Sequence, residues 1–389
     1  MAEKKPMPEI KRVCFFCSLS SFNTGMPVST FKLIEHYSNR PEYKVFVILP
    51  SEGELALQVR KCGIEPQIIP FHRMRSPARF FSFVEFLISF PVAFIKTSRF
   101  FLKNKIRIVH FSDIIDMPFY ACPKLAGAKS IAHLRHCIEN SFGRIAFNIL
   151  TFMFTSKVIC ISDAVQKYSG LSKKRSCVIY NPGPNPDLFD PHKKHLPISG
   201  FDSSKKLVLA IGTLLPVKGH ENFIRMAHII EIMHPGLCRF VIVGNKAGGR
   251  EEYFDKLRKL TKDLSLDSVI MFIEKTRHEN IPAILSRSSV FVHLPDYQEG
   301  LGGVILEAMA MEIPVVAFDS GGAGECFTNG VSGFLVGQYD IKAAAQSVLK
   351  LIEDEQLCSL MGKNGRKELT ERFSYKKHFM EIDNVYNSI

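Results

Sequence analysis

Residues 290–325 read VFVHLPDYQEGLGGVILEAMAMEIPVVAFDSGGAGE. A β-branched and aromatic run, 290–293, gives way to a loop with glycines at 300, 302 and 303. An apolar stretch of helix-forming residues follows from about 304 to 311. A second β-branched run, 315–318, ends in another glycine-rich loop. Strand, helix and strand in this order form the βαβ unit of a parallel sheet covered by helices. Ligands of such sheets bind beyond the carboxyl ends of the strands. The loops at 299–303 and 319–325 are therefore where chemistry is expected.

The same alternation extends in both directions. Strands are expected at 13–19, 45–49, 67–70, 106–111, 130–133 and 157–161, then at 207–211, 239–243, 269–272, 290–293 and 315–318. Between the two sets lies NPGPNPDLFDPHKKHLP, residues 181–197. Its five prolines exclude a long helix or a central strand and mark a linker. The fold class expected is α/β, with two Rossmann-like doubly wound domains and a cleft between them. Residues 1–195 would form the first domain and 196–372 the second, with 373–389 a C-terminal helix packing back on the first.

The chain has 389 residues, 46% hydrophobic and 23% charged, which excludes a disordered, collagen-like or polytopic membrane protein. Its net charge of +12 is uneven: residues 1–200 carry +14 and residues 201–389 carry −2. Between Arg60 and Arg107, ten basic residues face only Glu65 and Glu85. Such asymmetry points to an anionic membrane surface or a nucleic acid, or to a merely solubilising face. The stretch 80–95, FFSFVEFLISFPVAFI, is 16 residues long and falls short of a spanning helix, which needs ~18–20. Arg73, Arg75 and Arg79 precede it; Lys96, Arg99, Lys103, Lys105 and Arg107 follow. It is read as a helix that packs on its own sheet, lies on an anionic bilayer, or does both with different faces. No nucleic-acid motif accompanies the charge, so no nucleic-acid partner is expected.

Ten cysteines are scattered along the chain, and only Cys14 and Cys17 form a C-x-x-C. No second pair completes a zinc site, so a structural role in a buried strand is expected. Scattered thiols fit a reducing compartment. Lys4, Lys5, Lys11 and Arg12 precede only a strand-length apolar run, so no signal peptide is expected. The expected location is cytoplasmic, peripherally associated with the inner face of the membrane.

Three loops of the second half carry polar groups at strand ends. The first, 212–220, reads GTLLPVKGH: Gly212 ends a strand, and Lys218 stands before Gly219 and a helix. Backbone N–H groups at a helix N-terminus and a lysine point charge suit a phosphate. The second places Glu299 and Glu307 eight residues apart, with Gly300, Leu301, Gly302 and Gly303 between or beside them. Glycine lets a ligand approach the backbone, a helix N-terminus aims at it, and carboxylates accept hydroxyl donors. The third, DSGGAGE at 319–325, supplies further N–H groups. None is a G-x-G-x-x-G, so nicotinamide binding is a poor reading.

The series G-x-L-x-P-x-K-G, E-G-x-G-x-x-x-x-E-A-M-A and P-V-V-A-x-D-x-G-G-x-x-E resembles the retaining GT-B glycosyltransferases that use nucleotide-diphosphate sugars. The likeness covers nearly all of 205–375. More weakly, IAHLRH at 131–136 resembles the family's His-containing strand-end loop. The resemblance implies that Lys218 binds the diphosphate with Gly212 and Thr213 beside it. It implies that Glu299 positions the sugar, that backbone N–H groups of Gly300, Leu301, Gly302 and Gly303 lie near sugar and phosphate, and that Glu307 takes the ribose hydroxyls. His133 would face the reacting sugar or the acceptor, and Gly25 or Arg135 would touch the diphosphate or acceptor. Thr213 stands where the family commonly has an arginine, with Arg135, Arg250 and Arg277 as candidate substitutes, and Glu274 stands where it often has glycine. The loop at 20–27 lacks the usual double glycine.

The function so implied is retaining, metal-independent transfer of a hexose or N-acetylhexosamine to a lipid-linked or cell-surface saccharide, as in polysaccharide or lipopolysaccharide synthesis. UDP is slightly favoured as the nucleotide. No cofactor or metal is expected, because SDIID at 112–116 is not the D-x-D of a metal-dependent transferase. Two alternatives remain: a soluble small-molecule acceptor, or a non-catalytic nucleotide-sugar-binding partner protein.

Overall fold

The computed structural model describes residues 10–21, 25–73, 80–195, 205–246, 251–274 and 276–389. The chain forms two compact units. One runs to Ile179 and is joined by Phe379–Ile389; the other is Tyr180–His378. The boundary precedes the proline-rich segment, which counts with the second unit. That segment carries neither helix nor strand among its described residues.

The first unit holds a parallel seven-stranded sheet. Its strands are β1 (Lys11–Phe16), β2 (Tyr43–Leu49), β3 (Gln67–Ile68), β4 (Ile108–Phe111), β5 (Lys129–Leu134), β6 (Lys157–Cys160) and β7 (Ser176–Val178), in the order 3-2-1-4-5-6-7. The intervening helices are α1 (Gly25–Ser38), α2 (Glu54–Lys61), α3 (Phe80–Lys103), α4 (Cys122–Leu125), α5 (Ser141–Phe154) and α6 (Asp163–Ser169). β1 sits centrally, with Val13 opposite Val45 on one side and Ile108 on the other. Val13–Phe16 are fully buried, as a strand covered on both faces must be. Each buried Phe adds about 1.5–3 kcal/mol relative to exposure.

β1 begins earlier and ends earlier than the expected 13–19. Lys11 and Arg12 extend the ladder against Tyr43 and Lys44. Cys17 leaves it, and its thiol contacts Met26 Sδ at 3.7 Å and Leu19 O at 3.3 Å. Burial pushes that thiol up to about 12, which is the state of a packing residue.

α3 is longer than its apolar core predicts. It runs 24 residues to Lys103, through Pro91, because Thr97, Ser98 and Phe101 continue its buried face. From Phe81 to Lys103 it is long and apolar enough to cross a membrane, yet only 22% of its most apolar window is buried. Leu87, Ile88, Val92 and Ile95 are exposed. α5 shows a matching stripe, with Phe142, Ile145, Ile149 and Phe152 exposed at helical spacing. Of the expected basic flank, Arg75 and Arg79 lie outside the described residues.

The second unit repeats the plan with β8 (Lys206–Ile211), β9 (Cys238–Val243), β10 (Ile270–Ile273), β11 (Val290–His293), β12 (Val315–Phe318) and β13 (Gly333–Val336), in the order 10-9-8-11-12-13. Its helices are α7 (His220–Met233), α8 (Glu251–Asp263), α9 (Ile281–Leu285), α10 (Gly303–Ala310), α11 (Ile341–Glu353) and α12 (Glu355–Arg372); α13 (Tyr375–Ser388) follows and from Phe379 counts with the first unit. Sequential strands run outward from β8 one way and from β11 the other, so the switch point lies between β8 and β11. Of the strands, only β7 and β13 were not expected. Both are edge strands of three or four residues, too short for an alternation to register.

Candidate active site

Lys218 and Glu299 leave the sheet at this switch point, one after β8 and the other after β11. The two loops are tied together. Asp296 N–H donates to Val217 O at 3.0 Å, and Asn222 Nδ2 donates to Leu294 O at 3.0 Å and to Asp296 Oδ1 at 2.7 Å. Gly219, at φ 68°, passes so close that a Cβ there would overlap Leu294 O. His220 holds the start of the first loop. Burial pushes it down to about 4, so it is neutral, and its Nε2 donates to Thr213 O at 3.2 Å. Thr213 itself is exposed.

The charged centre follows from these ties. Lys218 Nζ lies 2.5 Å from Tyr297 Oη and 3.4 Å from Glu299 Oε2, and 4.8 Å above the Tyr297 ring. Glu299 Oε2 also lies 3.1 Å from His293 Nε2 at the end of β11. Burial alone would raise the Glu299 carboxyl. The His293 hydrogen bond and the Lys218 charge overcome this and hold it well below the usual range. It is thus a fixed carboxylate, with its side chain 13% exposed.

Its backbone is fixed as firmly. Gly322 N–H donates to Glu299 O at 2.7 Å, and Gly321 N–H donates to Gln298 Oε1 at 2.8 Å. Gly321 sits at φ 56°, where a Cβ would overlap the Glu299 backbone. The third glycine loop, 319–325, therefore acts as a brace for the second. Gly302 caps α10 at φ 58°, so the helix N-terminus with its free N–H groups opens beside Glu299. Cys326 Sγ donates to Leu301 O at 2.8 Å and closes the loop from beneath. About one turn along α10, Glu307 Oε1 lies 2.9 Å from His278 Nε2. Near the other end, Leu214 bridges to Lys246, whose Nζ lies 3.0 Å from Glu274 and 4.3 Å from the Phe254 ring centre.

The structure thus gathers Gly212, Thr213, Lys218, Glu299, Gly300, Leu301, Gly302, Gly303 and Glu307 around one switch point of the second unit. His133, Arg135 and Gly25 belong to the first. His133, at the end of β5, lies 3.4 Å from Arg135 Nη2 and 3.1 Å from His110 Nε2. Burial lowers the Arg135 guanidinium to about 10, and its Nε donates to Ser112 O at 2.9 Å. Beside it, the Asp116 carboxylate accepts N–H groups of Ser18, Ser112 and Asp113, stitching the loops after β1 and β4. Gly25 opens α1, exposed, with nothing within 4 Å of a Cβ placed there.

Of the candidates to replace the missing arginine, Arg277 is exposed ahead of α9 and Arg250 lies outside the described residues, as does 22–24 of the loop at 20–27. Sequence reasoning missed His293, Tyr297, His278, Lys246 and His110. His293 and Tyr297 were findable as polar residues in a strand-end loop; the others are joined to the site only by tertiary contacts. Among the described residues, no group of three or more His, Cys, Asp or Glu is placed to hold a metal ion.

Comparison with known proteins bears on the family and the fold. Residues 192–368 match the family profile described as "Glycosyl transferases group 1". A capsular polysaccharide biosynthesis glycosyltransferase of Staphylococcus aureus, CapM, is 38% identical over 113 residues, covering 29% of this chain and 30% of that protein. An uncharacterised glycosyltransferase of Methanocaldococcus jannaschii is 26% identical over 291 residues, covering 74% of this chain and 71% of that one. Further relatives are matched over only about half their length, 46 to 53%. The crystal structure of Anabaena HepE with UDP superposes with a TM-score of 0.80 at 20% identity, over 97% of this chain and 100% of that chain. At that identity the likeness shows the fold, which is GT-B. Residues 192–368, most of the second unit of this two-domain GT-B fold, thus match the glycosyl transferases group 1 family.

Proposed function

We propose that this chain transfers a hexose or N-acetylhexosamine from a nucleoside-diphosphate donor to a saccharide acceptor, with retention at the anomeric carbon and without a metal ion. The observation that carries it is the Lys218–Glu299 pair at the switch point, 3.4 Å apart and beside the N-terminus of α10. A departing diphosphate needs positive charge in place before the bond breaks. Lys218 supplies a point charge and the α10 N–H groups supply dipoles. Glu299, held ionised, positions sugar hydroxyls and faces the oxocarbenium-like charge of the transition state. Glu307 receives the ribose hydroxyls, with His278 as its neighbour. UDP is the favoured nucleotide, supported by the UDP and UDP-glucose complexes of HepE.

The acceptor is a lipid-linked or cell-surface saccharide met at the inner face of a membrane. A cavity of about 700 Å³ in the first unit supports a sugar acceptor, since hydroxyls and charged groups of Ser18, Ser20, Ser51, Glu52, Glu54 and Arg73 line it. The apolar stripes of α3 and α5 support the membrane. Lys96, Arg99 and Lys103 are exposed on α3 and Lys124 on α4. Lys124 Nζ lies 5.7 Å from the Phe154 ring of α5, which places α4 alongside that helix. Apolar stripes edged by cations suit an anionic bilayer.

The test is turnover of UDP-, GDP- and ADP-sugars on vesicles carrying a lipid-linked saccharide, with product anomers read by proton NMR. Acceptor-dependent transfer with retention is expected, unaffected by EDTA. Thr213, in place of an arginine, favours a second reading, a donor-binding partner without activity; any transfer by the purified chain excludes it.

A further inference from the structure

We propose that Arg135, with Tyr386 acting through His110 as a second donor to the same nitrogen, holds His133 as the neutral tautomer with its proton on Nε2. Only the catalytic consequence rests on the glycosyl-transfer reading; the tautomer does not. The argument starts at Arg135, whose Nη2 lies 3.4 Å from His133 Nδ1. A guanidinium has donors and no acceptor. His133 Nδ1 therefore accepts, and the ring proton sits on Nε2. His110 Nε2, 3.1 Å from the same Nδ1, must then donate as well. A neutral imidazole with its proton on Nε2 has an acceptor at Nδ1, and there Tyr386 Oη lies at 2.8 Å. The phenol donates, and its proton is held far above neutral pH by burial. Phenol to imidazole to imidazole is thus a chain of donors pointing one way.

The chain is sealed and anchored. His110 and His133 are fully buried and Tyr386 is 3% exposed, so bulk water does not stand in for any member. Tyr386 arrives from the far end of the sequence on a segment pinned by Asp383, which accepts from Tyr37 at 3.0 Å and pairs with Arg40 at 2.6 Å. The chemical result is that His133 offers an N–H and no basic nitrogen at Nε2. It is a hydrogen-bond donor to a hydroxyl or an oxyanion, and Tyr386 is a positioning residue for it.

The experiment uses the full chain labelled with ¹⁵N-histidine, with His133 assigned by its loss in His133→Asn. Long-range proton–nitrogen spectra are expected to show His133 protonated at Nε2 and bare at Nδ1. Tyr386→Phe removes the first donor, so His110 can move its proton to Nδ1 and withdraw its N–H from His133 Nδ1, which stays bare beside Arg135 and shifts toward the range of a nitrogen that accepts no hydrogen bond. In transfer assays Tyr386→Phe lowers kcat by roughly tenfold or more, the scale seen when an orienting partner of a functional histidine is removed, with donor KM unchanged. Tyr43→Phe, which removes another hydroxyl that meets Asp383, leaves both readouts in place. A wild-type His133 protonated at Nδ1 overturns the proposal, even if Tyr386→Phe fails to fold. So does a Tyr386→Phe protein with unaltered His133 signals or unaltered kcat. Absence of transfer by the wild type would instead refute the function proposed above, and the spectra would still be read.

Discussion

Glu299→Gln keeps the shape of the side chain and removes only its charge. In the native site that carboxylate lies 3.1 Å from His293 and 3.4 Å from Lys218. Hydrogen bonds to charged groups contribute about 1.5–3 kcal/mol each, and an amide oxygen retains part of both. The expected loss of stability is therefore about 2 kcal/mol at pH 7, read by urea unfolding. Its pH dependence has a definite sign. A carboxyl depressed in the folded state stabilises fully above its unfolded pKa of ~4.3 and loses that contribution as pH falls toward the native value. The gap between wild type and variant should begin to narrow below about pH 5 and close progressively as the pH falls further. Transfer should fall about 10²–10³-fold, as when one preorganised electrostatic group is lost. Donor affinity, measured by calorimetry, should change by less than about tenfold, or ~1.4 kcal/mol. Turnover near the wild-type level, or a stability gap that widens in acid, would refute the reasoning.

Other consequences are checked more briefly. Gly321→Ala should push the Glu299 backbone aside while leaving every charged group present, and a shift near 1 Å costs about 10²-fold in transfer. Glu307→Gln should weaken binding of UDP but leave binding of inorganic diphosphate unchanged in calorimetry. Ile88→Asp with Phe152→Asp, both on exposed positions of the α3 and α5 stripes, should abolish co-sedimentation with anionic vesicles while activity on a soluble acceptor persists. Salt should release the wild type from those vesicles, since each basic side chain near the surface contributes about 1 kcal/mol of screened attraction.

The central strands and the order of the functional loops are legible in the sequence because both are local. A buried parallel strand must be a short apolar run, and a loop that brings backbone to a ligand must contain glycine. Lys218, Glu299 and Glu307 stand out for that reason. What holds them does not. The brace from Gly321 to the Glu299 backbone joins two loops separated by a helix and a strand, and the first looks like one more phosphate-binding loop until the contact is seen. Tyr386 lies 276 residues from His110 along the chain, beyond the reach of any spacing argument. The reach of α3 is not legible in the sequence, because its apolar composition fades after Ile95 while its buried face continues to Phe101. The edge strand β13 escaped because four residues beside a glycine turn carry no period.

The central claim is that the second unit binds a nucleoside-diphosphate sugar between Lys218 and Glu307. The most direct measurement is thermal unfolding of the full chain against UDP-, GDP- and ADP-sugars, repeated with Lys218→Ala. One donor class should raise stability by about 2.7 kcal/mol at a hundred times its Kd, and Lys218→Ala should lose most of that gain. Stabilisation by none of them, or an equal gain in Lys218→Ala, would contradict the account.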